Sequence, residues 1–491
     1  MASQGSLPGR LRIVIGCDTF PPDINGAARF AERLAGGLAR RGHDVHIIAP
    51  GFDDSWGTFT EVHDGASMTV HRVRSYKLPQ HETLRFVWPF TLKHRTDKLL
   101  KQIQPDVVHI QSHLIMGRYL VRSARQLGIR LIATNHIMPE NLIKYSVIIP
   151  KFFEKTAMRM AWGDAGRVLR KVDAVTTPTR RAAELLGAAT GIENIHAISC
   201  GIDASRFANS SPTSNKSPRI LFLGRLDYEK HIHNLLKAVA KLPKELNTIV
   251  ELVGKGGEQG HLEQLASELG IRDQVIFFGH ISEEELPKAY ERCTVFAMPS
   301  IAELQSIATM EAMASGRPVV AADAMALPHL VHDGDNGYLF PPDDIDVFAD
   351  RLKRVLTADE AELERLSENS LYLIQAHDIQ RTLTIFEDLY RAQSVDSEHS
   401  RYNLPEYNEP IGRLNETLHE QVQTLRERAA ALANRVEDVR ENLKDKIEDA
   451  REDVLEKLED VRDEVKTTAK RVNKKVRSTV SKAKKRMQGN D

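Results

Sequence analysis

The sequence predicts an α/β protein with two doubly wound, Rossmann-like domains facing across a cleft, followed by a long C-terminal amphipathic helix. Three observations carry this. Short apolar runs alternate with helical patterns over residues 11–205. The same alternation restarts after a polar linker at 209–218. Beyond residue 410 it gives way to apolar residues spaced at a mean of 3.6 (54 residues in 15 steps from 411 to 465). Strand, helix and strand in succession call for parallel sheets with right-handed crossovers. At 491 residues the chain also exceeds what one core ordinarily holds.

In the first domain (1–205), residues 11–17 are apolar enough for a buried strand, and the turn formers at 21–26 end it. A helix over 27–41 carries Phe30, Leu34 and Leu38 on one stripe. Further strands fall at 45–49, 107–110, 130–134 and 174–177. In the second domain (206–395), strands are expected at 220–223, 248–253, 275–278, 295–298 and 318–321. A helical stretch over 360–393 closes the globular part. Ligands of such sheets sit at the carboxyl ends of the strands.

After a linker at 396–410, residues 411–491 form the amphipathic, coiled-coil-like helix. An 11-residue repeat begins at Val436, Ile447 and Leu458. A period near 3.6 keeps one straight apolar stripe and does not favour a left-handed two-stranded supercoil. Acids dominate 436–465, whereas 466–487 holds ten Lys or Arg and no acid. The basic end fits an anionic membrane surface, at about 1 kcal/mol per basic residue. Self-association through 411–465, or a plain solvated tail, are the alternatives.

Composition excludes several classes. The formal net charge of −1 gives no pull toward nucleic acid. Three cysteines without CxxC spacing, Cys17, Cys200 and Cys293, suit a reducing compartment and no disulfide framework. No apolar leader and no apolar run of about 18 residues occur, so neither a secretory signal nor a membrane span is expected. The expected location is cytoplasmic, peripheral on the inner face of the membrane if the tail binds there.

The chemistry gathers at predicted strand ends. Glu303 and Glu311 stand eight positions apart, the first in a loop after a buried strand, the second in the helix that follows. A strand end, a loop and a helix N-terminus form an anion-binding place. An acid on each side of it can grip two hydroxyl-rich groups with a diphosphate between them, which describes a sugar nucleotide. Gly224 and Arg225 follow another strand, with Lys230 five residues on. Two fixed cations there suit a diphosphate; the plain alternative is a charged loop. His136 ends the strand 130–134, where a neutral imidazole can hold a sugar hydroxyl or a phosphate oxygen. A strand-end histidine satisfied by backbone is the alternative, and His109 and His113 read as structural. Asn25 and Gly26 open the first helix, where backbone can approach a ligand. Gly254 and Gly256 lie in a similar loop, without kinase-type phosphate-loop spacing. No histidine stands at metal-ligand spacing with a carboxylate or thiol.

Taken together, over residues 11–390, these motifs resemble glycosyltransferase family 4, retaining enzymes of the GT-B fold. The carrying residues are Phe20-Pro21-Pro22 with Asn25-Gly26, Asp106 to His109, Thr134-Asn135-His136, Gly201-Ile202-Asp203 with Phe207, Gly224-Arg225 with Lys230, Gly254-Lys255-Gly256, Glu303 with Glu311 to Pro318, and Asp333-Gly334 with Asn336-Gly337. The resemblance implies that Glu311 binds the nucleotide ribose and that Arg225 and Lys230 hold the diphosphate. It implies that Glu303 contacts the donor hexose, that His136 lies by the reaction centre, and that the Ser306 and Ile307 amides complete the donor pocket. It implies a UDP- or GDP-hexose donor and no metal or other cofactor. The chain departs from the family where many members carry Ser-Phe-Gly after the first glutamate: here Leu304-Gln305-Ser306 leaves the donor sugar open. The segments 136–141 and 78–90 read as the acceptor side. The latter, with Arg85, Phe86, Trp88 and Phe90, can touch a lipid head group, with plain packing on the sheet as the alternative; it resembles lipid-directed hexosyltransferases acting on diacylglycerol or phosphatidylinositol-type lipids. A soluble-acceptor transferase, and a non-catalytic scaffold working through its C-terminal helix, are the alternatives.

Overall fold

The computed structural model describes residues 9–23, 25–52, 55–77, 85–138, 154–207 and 217–393. The expected C-terminal helix, its linker and the whole stretch 208–216 lie outside these residues, as do 78–84 of one acceptor segment and 139–141 of the other.

The first domain runs β1 (Arg12–Gly16), α1 (Gly26–Arg40), β2 (Asp44–Pro50), β3 (Gly57–His63), β4 (Ala66–Val73), β5 (Tyr76–Lys77) and β6 (Arg85–Phe86). It continues through α2 (Pro89–Ile103), β7 (Val107–Ile110), α3 (Ile115–Leu127) and β8 (Arg130–Thr134), then α4 (Glu154–Leu169), β9 (Ala174–Thr177), α5 (Arg180–Thr190) and β10 (His196–Ala197). Its eight-stranded sheet has the order β10-β9-β8-β7-β1-β2-β4-β3. Six of its pairs are parallel, as the alternation predicts. The exception is the antiparallel hairpin β3–β4. Sequence patterning missed it because β3 is a solvent-facing edge whose apolar residues Phe59 and Val62 are exposed. The signal was in the turn: Asp64 and Gly65 have φ of 46° and 72°, as an Asp-Gly hairpin requires.

The second domain runs β11 (Arg219–Leu223), α6 (Ile232–Val239), β12 (Ile249–Val253), α7 (Gln259–Glu268), β13 (Val275–Gly279) and α8 (Leu286–Arg292). Then come β14 (Val295–Met298), α9 (Ile307–Ala314), β15 (Val319–Ala322), β16 (Gly337–Phe340), α10 (Ile345–Leu356), α11 (Glu360–Ile374) and α12 (Ile379–Tyr390). Its sheet, β13-β12-β11-β14-β15-β16, is parallel throughout. β11 and β14 are neighbours, so the loops leaving their carboxyl ends lie side by side.

The stretch 360–393 is two helices, not one. A 3₁₀ turn at Gln375–His377 ends the first, and Asp378 caps the second by accepting from Gln380 N. Although the sequence reading attaches it to the second domain, α12 returns to the first. Its Glu387 accepts from Arg41 Nη1 at 2.7 Å and lies 2.7 Å from His43 Nε2. Its Tyr390 hydroxyl lies 2.7 Å from His109 Nδ1. The apolar face of α12 supplies the reason: Leu383, Phe386 and Leu389 are buried in a cluster shared with Phe30 and Leu34 of α1. The chain therefore crosses between domains twice. The crossings are joined backbone to backbone, Ile202 N to His377 O at 2.8 Å and Ile379 N to Ile202 O at 3.0 Å. No helix among the described residues is long and apolar enough to cross a membrane.

Candidate active site

The site is built where β11 and β14 end. After β11 the chain turns through Gly224 and Arg225 into a 3₁₀ turn, Tyr228–Lys230. Two bonds tie that turn to the neighbouring loop: Ile301 N donates to Glu229 O at 3.3 Å, and Ser300 Oγ to the same oxygen at 3.4 Å. These bring Lys230 beside Glu303, with Nζ 2.5 Å from Oε1 and both side chains largely buried. Arg225 is half-exposed and pairs with Asp227 and with Glu229 Oε1, the latter at 2.8 Å. The structure brings Lys230 and Glu303 together, while Arg225 stands at the rim on carboxylates of its own loop.

The helix after Glu303 starts at a local cap. Ser306 Oγ accepts from Thr309 N at 3.2 Å and from Thr309 Oγ1 at 2.8 Å. Capping takes one orphan amide of the first turn and leaves the leading amides of Ser306 and Ile307 to other acceptors. Glu311 lies one turn further in, 2% exposed, with Oε1 on Arg33 Nη2 at 2.5 Å and Oε2 on the Tyr290 hydroxyl at 3.1 Å. Arg33 belongs to α1, so this carboxylate joins the two domains. Gly26 faces the same helix: a Cβ placed on it would meet Ile307 Cδ1 at 3.9 Å.

On the first domain, His136 follows β8, half-buried, with its ring centroid 4.9 Å from that of Phe30 and Nε2 3.1 Å from Gln111 Oε1. With that oxygen as acceptor the proton sits on Nε2 and Nδ1 is left as an acceptor. Burial pushes its pKa down to about 4, so the ring is neutral at physiological pH. His109 is wholly buried between Tyr390 and Thr134, its pKa pushed down to about 3 by burial and by His136. It has the structural role the sequence suggested.

Three expected donor residues have other duties. Asn25 caps α1, its Oδ1 accepting from Ala28 N at 2.9 Å. Gly254 and Gly256 are required by packing: a Cβ on Gly254 would lie 1.9 Å from Gly224 O, and one on Gly256 2.3 Å from Leu226 O. These two glycines let the β11 and β12 loops stack backbone on backbone.

Sequence reasoning passes over Arg33 and Tyr290, and reads Gln305 only as part of a departure from the family pattern. Gln305 explains the unusual loop after Glu303. Its Oε1 accepts from Cys200 N at 2.7 Å and its Nε2 donates to Ser199 Oγ at 3.0 Å. Ser199 Oγ in turn lies 2.9 Å from His377 Nδ1. Where many members of the resembled family carry an aromatic, this chain ties the Glu303 loop to both interdomain crossings. Among the described residues no group of three or more His, Cys, Asp or Glu side chains is arranged to hold a metal ion.

Two family models match consecutive stretches that together exceed half of the chain: Glycosyltransferase Family 4 over 24–206 and Glycosyl transferases group 1 over 203–371. The chain belongs to glycosyltransferase family 4. Its fold is GT-B, and it is a glycosyltransferase by family. Among curated relatives, the GDP-mannose-dependent alpha-mannosyltransferase of Mycobacterium tuberculosis is 29% identical over 343 residues, 67% of this chain and 84% of that one. The alpha-monoglucosyldiacylglycerol synthase of Streptococcus pneumoniae is 27% identical over 347 residues, 67% of this chain and 75% of that one. Among solved structures, sucrose-phosphate synthase from Thermosynechococcus elongatus superposes with a TM-score of 0.64 at 22% identity, over 78% of this chain and 99% of that one.

Proposed function

We propose that this family 4 enzyme moves a hexose of the glucose or mannose class, with retention, from a UDP- or GDP-sugar to a membrane lipid, of the diacylglycerol or phosphatidylinositol type or a glycolipid built on one. The observation that carries the reading is the Lys230–Glu303 pair at the mouth of α9. Each partner is held by the other in a site that suits both a diphosphate and a hydroxylated sugar. An arriving diphosphate offers Lys230 a doubly charged acceptor, and Glu303 is released to accept from hexose hydroxyls. Arg225 swings from its own loop to the same phosphates, and the Ser306 and Ile307 amides complete the cradle. The sugar C1–O bond to the diphosphate then breaks on the face that the acceptor hydroxyl attacks. A new C1–O bond forms there, and the acceptor proton leaves on the departing phosphate. Cations and amides placed where negative charge develops supply the stabilisation that speeds such a step. Arg225 and Lys230 take the part a divalent ion plays elsewhere, so the reading needs no metal.

The lipid acceptor is supported by the synthase relative's name and by the surface of the first domain. Trp56, Trp88 and Phe90 are exposed there, Phe90 at 88%. Arg95 lies over the Trp56 ring at 5.5 Å. Aromatic and basic groups side by side suit a headgroup layer. The basic segment 466–487 adds electrostatic attachment to the same anionic surface. A screen of UDP- and GDP-glucose and -mannose against diacylglycerol, phosphatidylinositol and soluble sugars, read for product and anomeric configuration, tests the chemistry. Transfer to lipid with retention is expected, and transfer only to soluble sugars would replace the acceptor assignment. Full-length protein should float with anionic liposomes in a salt-sensitive way and lose this after truncation at residue 410.

A further inference from the structure

Arg33 lies two turns into α1, and its reach to Glu311 is made from the opposite domain. The two side chains are 7% and 2% exposed. A guanidinium offers five donors in a fixed fork that matches a carboxylate with two parallel bonds. This one spends only Nη2 on Glu311. Its Nη1 is buried and, among the described residues, has no hydrogen-bond partner. An unmet buried donor is unfavourable, and a bidentate grip on Glu311 would have met it. Glu311 instead has its second oxygen on the Tyr290 hydroxyl, which shares its one proton between that oxygen and Ala308 O. An ionised carboxylate has about four acceptor positions. Arg33 and Tyr290 occupy two, which leaves two, the number that adjacent ribose hydroxyls need.

The orphaned arm and the spare acceptor positions belong to one contact, and one ligand satisfies both. We propose that Arg33 is a further donor-binding residue, supplied by the first domain. Its Nη2 keeps Glu311 in place, and its Nη1 donates to a ribose hydroxyl of the nucleotide when α1 and α9 part to admit it. The inference rests on the reading of Glu311 as the ribose clamp. It adds that the ribose is held from both domains, so that nucleotide binding and closure of α1 on α9 are linked. Arg29 of α1 reinforces this by pairing with Glu283 of the second domain.

Calorimetry on the full chain tests this, with UDP, GDP and their 2′,3′-dideoxy counterparts titrated into wild type, Arg33→Lys, Arg33→Met and Glu311→Gln. Arg33→Lys keeps a cation against Glu311 and so guards against a folding defect, which a melting curve checks. For the nucleotide the wild type binds, Arg33→Lys should weaken affinity about tenfold, the loss of one good hydrogen bond to substrate. Its affinity for the dideoxy form should stay within about twofold of wild type on the same reasoning. Arg33→Met should show the same selective loss. Equal or tighter binding of the ribonucleotide by either Arg33 variant overturns the proposal, because Arg33 then only fills the cleft. Wild type that binds neither nucleotide, or Glu311→Gln protein that keeps its full preference for ribose, overturns the assignment of Glu311 and the proposal with it.

Discussion

The strand ends of the two domains are built from different chemistry. In the second domain they carry full charges in mutual contact: Lys230 on Glu303, and Arg225 on Asp227 and Glu229. In the first, β7 and the end of β8 carry neutral imidazoles and amides: His136 on Gln111, and His109 between a tyrosine and a threonine. A diphosphate brings charge and needs countercharge, so the donor side keeps ion pairs that can exchange partners. An acceptor hydroxyl brings none, and a fixed charge opposite it would have to be desolvated without compensation. On the proposed function the contrast divides the labour: charge stabilisation would come from one side of the cleft and positioning from the other.

The test with the largest effect compares one residue from each side. Lys230→Ala should lower kcat roughly 100- to 1,000-fold, the loss typical when one stabilising donor is removed from a charge that grows in the transition state. His136→Ala should lower kcat/KM only about fivefold to tenfold, the worth of one neutral hydrogen bond. Both are read as initial rates with the donor that the screen identifies. If His136→Ala falls as far as Lys230→Ala, the first domain contributes chemistry and not only placement, and the contrast is wrong.

The neutral side should also be sensitive to acid. His71 and His109 have pKa values pushed down to about 4 and about 3, in both cases chiefly by burial. In the unfolded chain each returns to about 6.5. Below pH 6.5 the unfolded state therefore binds more protons than the folded one, and stability falls as pH falls. Above 6.5 this contribution is complete and flat. At pH 5.5 each group should have removed about 1.4 kcal/mol. Urea unfolding at pH 7.5, 6.5 and 5.5 reads the slope, and His109→Asn should flatten it by its own share. An unchanged slope in that variant would show that His109 is not held neutral by the fold.

Where sequence and structure agree, the reason is periodicity. Most of the long parallel strands could be read because strands buried on both faces are continuous apolar runs. β3 could not, because an edge strand has no such run. The motif residues are legible as types at strand ends, Lys230 and Glu303 among them, but their contact is not. Arg33 was not legible. On a helix otherwise striped with Phe30, Leu34 and Leu38 it reads as one more surface arginine, and its partner lies 278 positions away. In the sequence Gln305 stands out only as a departure from the family. Its purpose depends on Ser199 and His377, and no local pattern links those three positions. Asn25 shows a second duty that its motif hides: its place before a helix reads as a ligand site, and in the structure its side chain caps α1.

The caps give the smallest and sharpest comparison, because both sides of the cleft use the same device. Asn25 closes the start of α1 and Ser306 the start of α9. Replacing a capping side chain by alanine costs about 1 kcal/mol. Asn25→Ala and Ser306→Ala should each lose about that much in urea unfolding, and Asn25→Asp, which caps equally well, should lose almost nothing. The two alanine variants should part in catalysis. Asn25→Ala should leave the donor KM within about twofold, since its oxygen already accepts from Ala28 N. Ser306→Ala frees the first turn of the helix that carries Glu311, so its donor KM should rise further than that of Asn25→Ala. A donor KM that rises tenfold in Asn25→Ala and is restored in Asn25→Asp would return Asn25 to the donor site, and the first domain would then grip the nucleotide by a side chain at the very start of α1.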